Sequence, residues 1–220
     1  AFRPAILANN ETVLKTFVPE FCHDEPQLAC FAMTEPTGGC DIENLHVLHG
    51  KTIRTRAERK GSEWIINGTK RFASNSGVAR MYCVVCQTDP NLGEKGIALI
   101  YVPYPWPGVS FGKFEEKAGM KADRNCDIYL EDVRVPINYC ACGPGEDYKL
   151  LKMNLILGRI NSAGTAIGNA RGAFEKVIEY TSQRVVQGKP IREHSLCAAM
   201  LADMAIGIET ARAYMMQTFY

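Results

Sequence analysis

From about Leu28 to Pro136 the chain consists of short runs of apolar or alternating residues, each closed by Gly, Pro, Asn or Asp. A period of two puts successive side chains on opposite faces, which is the pattern of a strand. Ala29–Thr34, Lys51–Glu58, Met81–Gln87, Ile97–Val102 and Ile128–Val135 are the strand candidates. In Lys51–Glu58 the alternation puts Ile53, Thr55 and Ala57 on one face and Arg54, Arg56 and Glu58 on the other, a half-buried strand with a solvated side. Within Glu63–Phe72, Asn67-Gly68 can adopt the positive φ angles of a type I′ turn, which predicts a tight hairpin centred there. Many short strands without intervening helices predict an antiparallel sandwich or barrel.

Helical periodicity brackets this region. Residues 10–18 read as a short helix, with Asn10 as N-cap, Glu11 in the first turn and Pro19 discouraging continuation. After Gly143-Pro144-Gly145, residues 147–184 read as a long helix rich in small side chains, from Ser162 to Ala173. Small side chains let helix axes approach, although each Gly costs about 1 kcal/mol of propensity against Ala. Gln187-Gly188-Lys189-Pro190 breaks the pattern, and a second helix follows from about Glu193. Its Leu201, Met204, Ile208, Ala211, Met215 and Phe219 recur at spacings of three and four, one apolar stripe. Two long helices with a short connection predict an antiparallel hairpin, half of a four-helix bundle. The expected class is α+β: 1–27 as the end of an N-terminal helical region, 28–143 as a β domain, and 144–220 as the first helices of a bundle. Both ends read as cut, so a fragment of a longer protein is expected.

Composition narrows the function classes. Hydrophobic residues make up 46% and charged residues 22% of 220, an ordinary globular balance that argues against disorder. The 25 Lys+Arg against 24 Asp+Glu leave a net charge of +1, so no broad positive field points to nucleic acid or an anionic membrane surface. No apolar run approaches the roughly 20 residues that span a bilayer. Nine cysteines in a chain of this size need no disulfide framework, and reduced thiols in a cytoplasmic setting are expected.

The isolated motifs are weak. Cys83 and Cys86 have C-x-x-C spacing, but a strand through Tyr82–Gln87 points them to opposite faces, so they read as packed thiols. His46 and His49 have no acidic partner at ligand spacing. No GxGxxG, Walker A loop or GxSxG elbow occurs. No metal site is expected. Phe31-Ala32-Met33-Thr34-Glu35-Pro36-Thr37-Gly38-Gly39-Cys40-Asp41 reads as a strand leading into a Gly-Gly turn, with a hydroxyl at the strand's mouth.

Taken together, four ordered segments resemble a known family. TEPTGGCD resembles the TEPGxGSD signature of the flavin-dependent acyl-CoA dehydrogenases, and WIINGTKRFASNSGVA resembles their INGxKxWITNxG segment. FEEKAGMKADRNCDIYLEDVRVP resembles KMGxRxSxTxxLxFEDVxVP, and QRVVQGKPIREHSLCAAMLADMAIGIETAR resembles RxxFGxPLxxxQxxxxxLADMxxxIExAR.

The resemblance implies FAD bound between the β domain and the helical bundle, with an acyl-CoA substrate. It implies that Phe31, Met33 and Thr34 approach the isoalloxazine, and that Gly39 and Cys40 line the turn near pyrophosphate or acyl-CoA. Phe72 stands for the family's usual Trp and Ser74 for its Thr, both beside the flavin ring. Arg184 matches the arginine that reaches the FAD of a neighbouring subunit, with Gln187 and Ser195 departing from the pattern around it. Arg159 matches a helix arginine near the active site. The implied reaction is α,β-dehydrogenation of an acyl-CoA thioester, with a glutamate base and hydride transfer to the flavin. In some members that Glu immediately precedes the arginine matching Arg159; here the position is Gly158, so no catalytic base is expected within the chain and the fragment is expected to be inactive. Electron-transferring flavoprotein is the implied acceptor and a homo-oligomer, dimer or tetramer, the implied state. The alternatives are a flavin-dependent monooxygenase or oxidase on the same fold, and a non-catalytic flavin- or CoA-binding module.

Overall fold

The computed structural model describes residues 1–38 and 53–219. His46, His49 and all of residues 44–52, a stretch that the sequence reads as longer than the connection usual after such a turn, lie outside the described residues. The chain divides into two compact units, Ala1–Asn154 and Leu155–Tyr220. In the first, two helices, α1 (Arg3–Leu7) and α2 (Glu11–Phe17), precede seven strands. These are β1 (Ala29–Ala32), β2 (Arg56–Lys60), β3 (Glu63–Lys70), β4 (Met81–Gln87), β5 (Ile97–Pro103), β6 (Val109–Phe111) and β7 (Ile128–Pro136).

Asn10 caps α2 as expected, its Oδ1 accepting the Val13 N–H at 2.9 Å, while its amide donates to the carbonyls of Cys140 and Ala141 at 2.7 and 3.0 Å. Pro19 does not stop the chain from turning: residues 18–22 continue as a 3₁₀ helix, where the missing proline N–H costs nothing near the N-terminus.

The strands form one mixed sheet rather than an all-antiparallel one. Strand β4 is its spine. One edge of β4 pairs antiparallel with β5 along its whole length, Met81↔Pro103 to Gln87↔Ile97. The other edge pairs in parallel with β1, Ala29↔Met81 to Ala32↔Val84, and then meets β2 only at Arg56↔Gln87. Antiparallel β2–β3, β3–β7 and β6–β7 complete the sheet. All seven residues of β4 are buried, because neighbours cover both its edges and both its faces. Tyr82, Val84 and Cys86 join Trp64, Ile66, Ile128, Leu130 and Val133 in the main core. Cys83 alternates to the opposite face, as a strand requires, and burial pushes both thiols up to about 12.

The Asn67-Gly68 hairpin is not formed there. The β2–β3 turn lies six residues earlier, at Gly61-Ser62, where Gly61 has φ +62°. Strand β3 runs straight through Asn67-Gly68, and its register with β7 slips between Ile66 and Gly68. Asn67 serves that bulge: its Nδ2 donates to Asp132 Oδ1 at 3.1 Å, and its Oδ1 accepts the Asp132 N–H at 2.9 Å. Gly68 is required by crowding, since a Cβ there would lie 2.7 Å from Thr55 Cα. The same dipeptide thus answers a bulge and a close approach instead of a turn.

Helix α3 spans Asp147–Gln183, and its first residue is its anchor. The Asp147 carboxylate is fully buried and accepts N–H groups from Leu99 (2.7 Å), Cys142 (2.7 Å) and Gly143 (3.0 Å). Burial raises its pKa, and these donors oppose the rise. Within the second unit, β8 (Val185–Val186) and β9 (Lys189–Pro190) make the sharp turn before α4 (Ser195–Phe219). Gly164 packs against Met215, with Met215 Sδ 3.7 Å from the position a Gly164 Cβ would take. Each residue lies about five turns from the connecting turn, so the two helices run antiparallel as the pattern predicts. Leu201, Met204, Ile208 and Met215 of the apolar stripe are half-buried, whereas Ala211 is exposed. No helix among the described residues is long and apolar enough to cross a membrane.

Two substitutions test these constraints by urea unfolding. Gly68→Ala is expected to destabilise by about 2–4 kcal/mol through the Thr55 clash, while Gly61→Asn at the open turn changes stability by less than about 1 kcal/mol. Asp147→Ala leaves three N–H donors without their acceptor, that of Leu99 fully buried, and is expected to cost about 2–5 kcal/mol.

Candidate functional site

The site is built where the end of β1 meets the end of β3. Glu35, three residues beyond β1, is only 4% exposed, yet all its acceptor capacity is used. Its Oε1 accepts the Thr55 N–H (2.9 Å), the Thr55 hydroxyl (2.7 Å) and Lys70 Nζ (2.9 Å), and its Oε2 accepts the Arg54 N–H (2.7 Å). Lys70 closes β3 with no exposed surface and also donates to the Met33 carbonyl at 3.1 Å. Burial alone would raise the Glu35 carboxyl, but the Lys70 charge and the hydrogen bonds from Lys70, Thr55 and Arg54 hold it below its ordinary value.

This pair fixes the exit of β1. The next peptide link joins the two chain segments directly, because Arg71 N–H donates to the Thr34 carbonyl at 2.8 Å. Asn75 Nδ2 reaches back to the Ala29 carbonyl at 3.2 Å. Phe31, Met33 and Thr34 are therefore brought beside the Phe72–Ser74 turn. Met33 is buried, Phe31 and Thr34 are half-buried, and Ser74 is exposed.

Phe72 is 55% exposed and has φ +58°, a left-handed conformation uncommon for a bulky residue. Two contacts hold it. Asn125 Nδ2 donates to its carbonyl at 2.9 Å, and the Arg71 guanidinium lies 5.3 Å from its ring centroid. Arg71 is itself fixed by a two-pronged bond to Asp127, Nε–Oδ1 at 2.7 Å and Nη2–Oδ2 at 2.9 Å. The hydrogen bond to Arg71 holds the Asp127 carboxyl below its usual value.

A third segment, 114–127, forms one wall. Phe114, Glu115, Lys117, Lys121, Asp123 and Arg124 line an open groove of about 680 Å³. Asp123 ties it to the turn by accepting the Ser74 hydroxyl at 3.1 Å.

Five of the site residues expected from the sequence thus cluster in the first unit: Phe31, Met33, Thr34, Phe72 and Ser74. Gly39 and Cys40 lie outside the described residues. Arg159 and Arg184 belong to the second unit, where both are exposed; Arg184 follows α3 and its carbonyl accepts the Ile191 N–H at 2.8 Å. Sequence reasoning missed Lys70, Arg71, Asp123, Asn125 and Asp127. Lys70 carried a signal, because Trp64, Ile66, Gly68 and Lys70 share the inward parity of β3. The others carried none, since their partners are about 50 residues away in sequence.

A β sheet whose strand ends present an aromatic and hydroxyl ledge, leading into a long-helix hairpin, defines the class. The model of the acyl-CoA dehydrogenase middle domain matches residues 30–133, and that of the acyl-CoA dehydrogenase C-terminal domain matches residues 148–220. The chain belongs to the acyl-CoA dehydrogenase family. It is 32% identical over 214 residues to cyclohexane-1-carbonyl-CoA dehydrogenase of Syntrophus aciditrophicus, covering 97% of this chain and 53% of that protein. To the human mitochondrial short-chain specific acyl-CoA dehydrogenase it is 33% identical over 186 residues, covering 84% of this chain and 43% of that one. The structure of butyryl-CoA dehydrogenase from Megasphaera elsdenii superposes with a TM-score of 0.84 at 30% identity, covering 97% of this chain and 55% of that one. The chain spans about half the length of these relatives.

Lys70→Met leaves Glu35 buried without its cation and is expected to destabilise by about 3–5 kcal/mol in urea unfolding. Because the folded-state pKa of Glu35 lies below the ordinary 4.5, its contribution is complete above that value and lost as pH falls through the folded pKa. Thermal stability should therefore drop more steeply on acidification below about pH 4.5 in the wild type than in Glu35→Gln.

Proposed function

We propose that the protein carrying this chain is an FAD-dependent dehydrogenase that introduces an α,β double bond into an acyl-CoA thioester. The observation that supports this reading best is Phe72, an aromatic ring left more than half exposed on a strained backbone and held there by the Asn125 amide and the Arg71 guanidinium. Strain of that kind is maintained only where the surroundings over-determine it, which suits a platform for a planar ligand. Thr34 is joined to the residue before the ring by the Arg71 N–H bond, Ser74 follows the ring by two residues, and an aromatic surface with hydroxyl and apolar residues on the adjoining segment fits a flavin ring.

When bound, FAD supplies the acceptor for the hydride. The protein's part is to hold and orient. Phe72 stacks, Thr34 and Ser74 hydrogen-bond the polar edge of the ring, and Phe31 and Met33 exclude water from its apolar side. Gly39 and Cys40 are assigned to pyrophosphate or acyl-CoA binding, and Cys40 also to the substrate. Arg184 is assigned to the FAD of a partner subunit in a homo-oligomer, where an always-charged, forked guanidinium suits pyrophosphate. Arg159 is assigned to the substrate side. Gly158 has no side chain to take a proton, so removal of the α-proton is assigned to a carboxylate outside residues 1–220. Electron-transferring flavoprotein is the proposed acceptor.

The test is anaerobic visible spectroscopy of the full-length protein loaded with FAD. Acyl-CoA of suitable chain length should bleach the flavin band, and Phe72→Ala should weaken FAD retention roughly tenfold. A protein that retains no flavin, or whose flavin no acyl-CoA reduces, would refute the reading.

A further inference from the structure

Ser74 has a single proton, and the structure commits it to Asp123. The Ser74 hydroxyl donates to Asp123 Oδ2 at 3.1 Å, and the same oxygen accepts Lys117 Nζ at 3.2 Å. Lys117 also donates to the Asp123 carbonyl and to Asn125 Oδ1. Asn125 in turn holds the Phe72 carbonyl, so one connected set of hydrogen bonds fixes both the ring and the hydroxyl. An ionised carboxylate can only accept. What Ser74 has left to offer the open side of the turn is therefore its lone pairs. At this place the family pattern that the segment resembles has Ser, and this chain has Asp123.

We propose that Asp123 is a positioning residue that makes Ser74 a hydrogen-bond acceptor towards the flavin. The inference rests on the proposed function, which puts Ser74 beside the ring. The central ring nitrogen of a flavin can only accept when oxidised and carries N–H when reduced. A Ser74 held as acceptor thus matches the reduced ring and mismatches the oxidised one, and the protein favours electron uptake at this site. Lys117 acts behind Asp123 by keeping it aimed.

The midpoint potential of FAD bound to the full-length protein reads this directly. Asp123→Asn and Asp123→Ala remove the same charge, but Asn keeps an oxygen where Oδ2 accepts from Ser74 and Lys117. The expected result is a lower potential in D123A than in D123N, by about tenfold in relative affinity for reduced over oxidised flavin, or about 30 mV for a two-electron couple. On a Ser74→Ala background the two should coincide. If D123A does not fold, the same comparison on a Lys117→Met background leaves no stranded cation.

Equal potentials for D123N and D123A with Ser74 present would overturn the inference. So would a difference that persists when Ser74 is alanine, which would show that Asp123 acts through general structure. A wild type that binds no flavin would instead overturn the proposed function on which the inference stands.

Discussion

The buried pair of Glu35 and Lys70 is the constraint on which the rest of the site depends. Neither side chain reaches solvent to any extent that matters, and neither is short of partners. Removing two charges from water costs several kcal/mol each, and only close pairing with further hydrogen bonds offsets that. Here the offset comes from three separate chain segments: the β1 exit, the Arg54-Thr55 approach to β2, and the end of β3. An apolar pair could fill the same space. It could not bind the Met33 carbonyl and two backbone N–H groups, so it would leave the β1 exit without a fixed course.

With that exit fixed, the Arg71–Thr34 backbone bond follows, and with it the position of Phe72. The left-handed conformation at Phe72 is unfavourable by itself, and the Arg71–Asp127 fork and the Asn125 amide supply what holds it. Function and stability separate cleanly in this arrangement. Charged groups that are buried hold the backbone, while the groups left on the surface, a ring and a hydroxyl, are those with binding chemistry. Such a division suits a cofactor platform, because preorganisation leaves less to be ordered when the ligand arrives.

The helical unit uses a different principle. Its contact at Gly164 and Met215 pairs a residue without a side chain with a flexible thioether, which fills irregular space. Many large apolar side chains on α4, among them Leu196, Met200 and Ile206, remain exposed. The single apolar stripe of α4 therefore under-describes the helix, which carries hydrophobic residues on more than one face.

Much of this protein was determined by sequence in the literal sense of neighbouring residues. Continuous apolar runs give β4 and β5, and an alternating run gives β7, nearly to the residue, because both patterns are local. The cap at Asn10 and both long helices follow from propensity and periodicity, again over a few turns. The ordered motifs singled out Phe31, Met33, Thr34, Phe72 and Ser74, and the structure joins the two segments that carry them through the Arg71–Thr34 backbone bond. What only the tertiary structure decided are the relations between distant residues. Asn67-Gly68 has the chemistry of a turn, but the crowding of Thr55 and the pairing with Asp132 make it a bulge inside a strand. The parallel seam of β1 on β4 and the buried state of Glu35 have the same origin. Charges that lie tens of residues apart acquire their role only when the sheet brings them within 3 Å, and no local pattern encodes that distance.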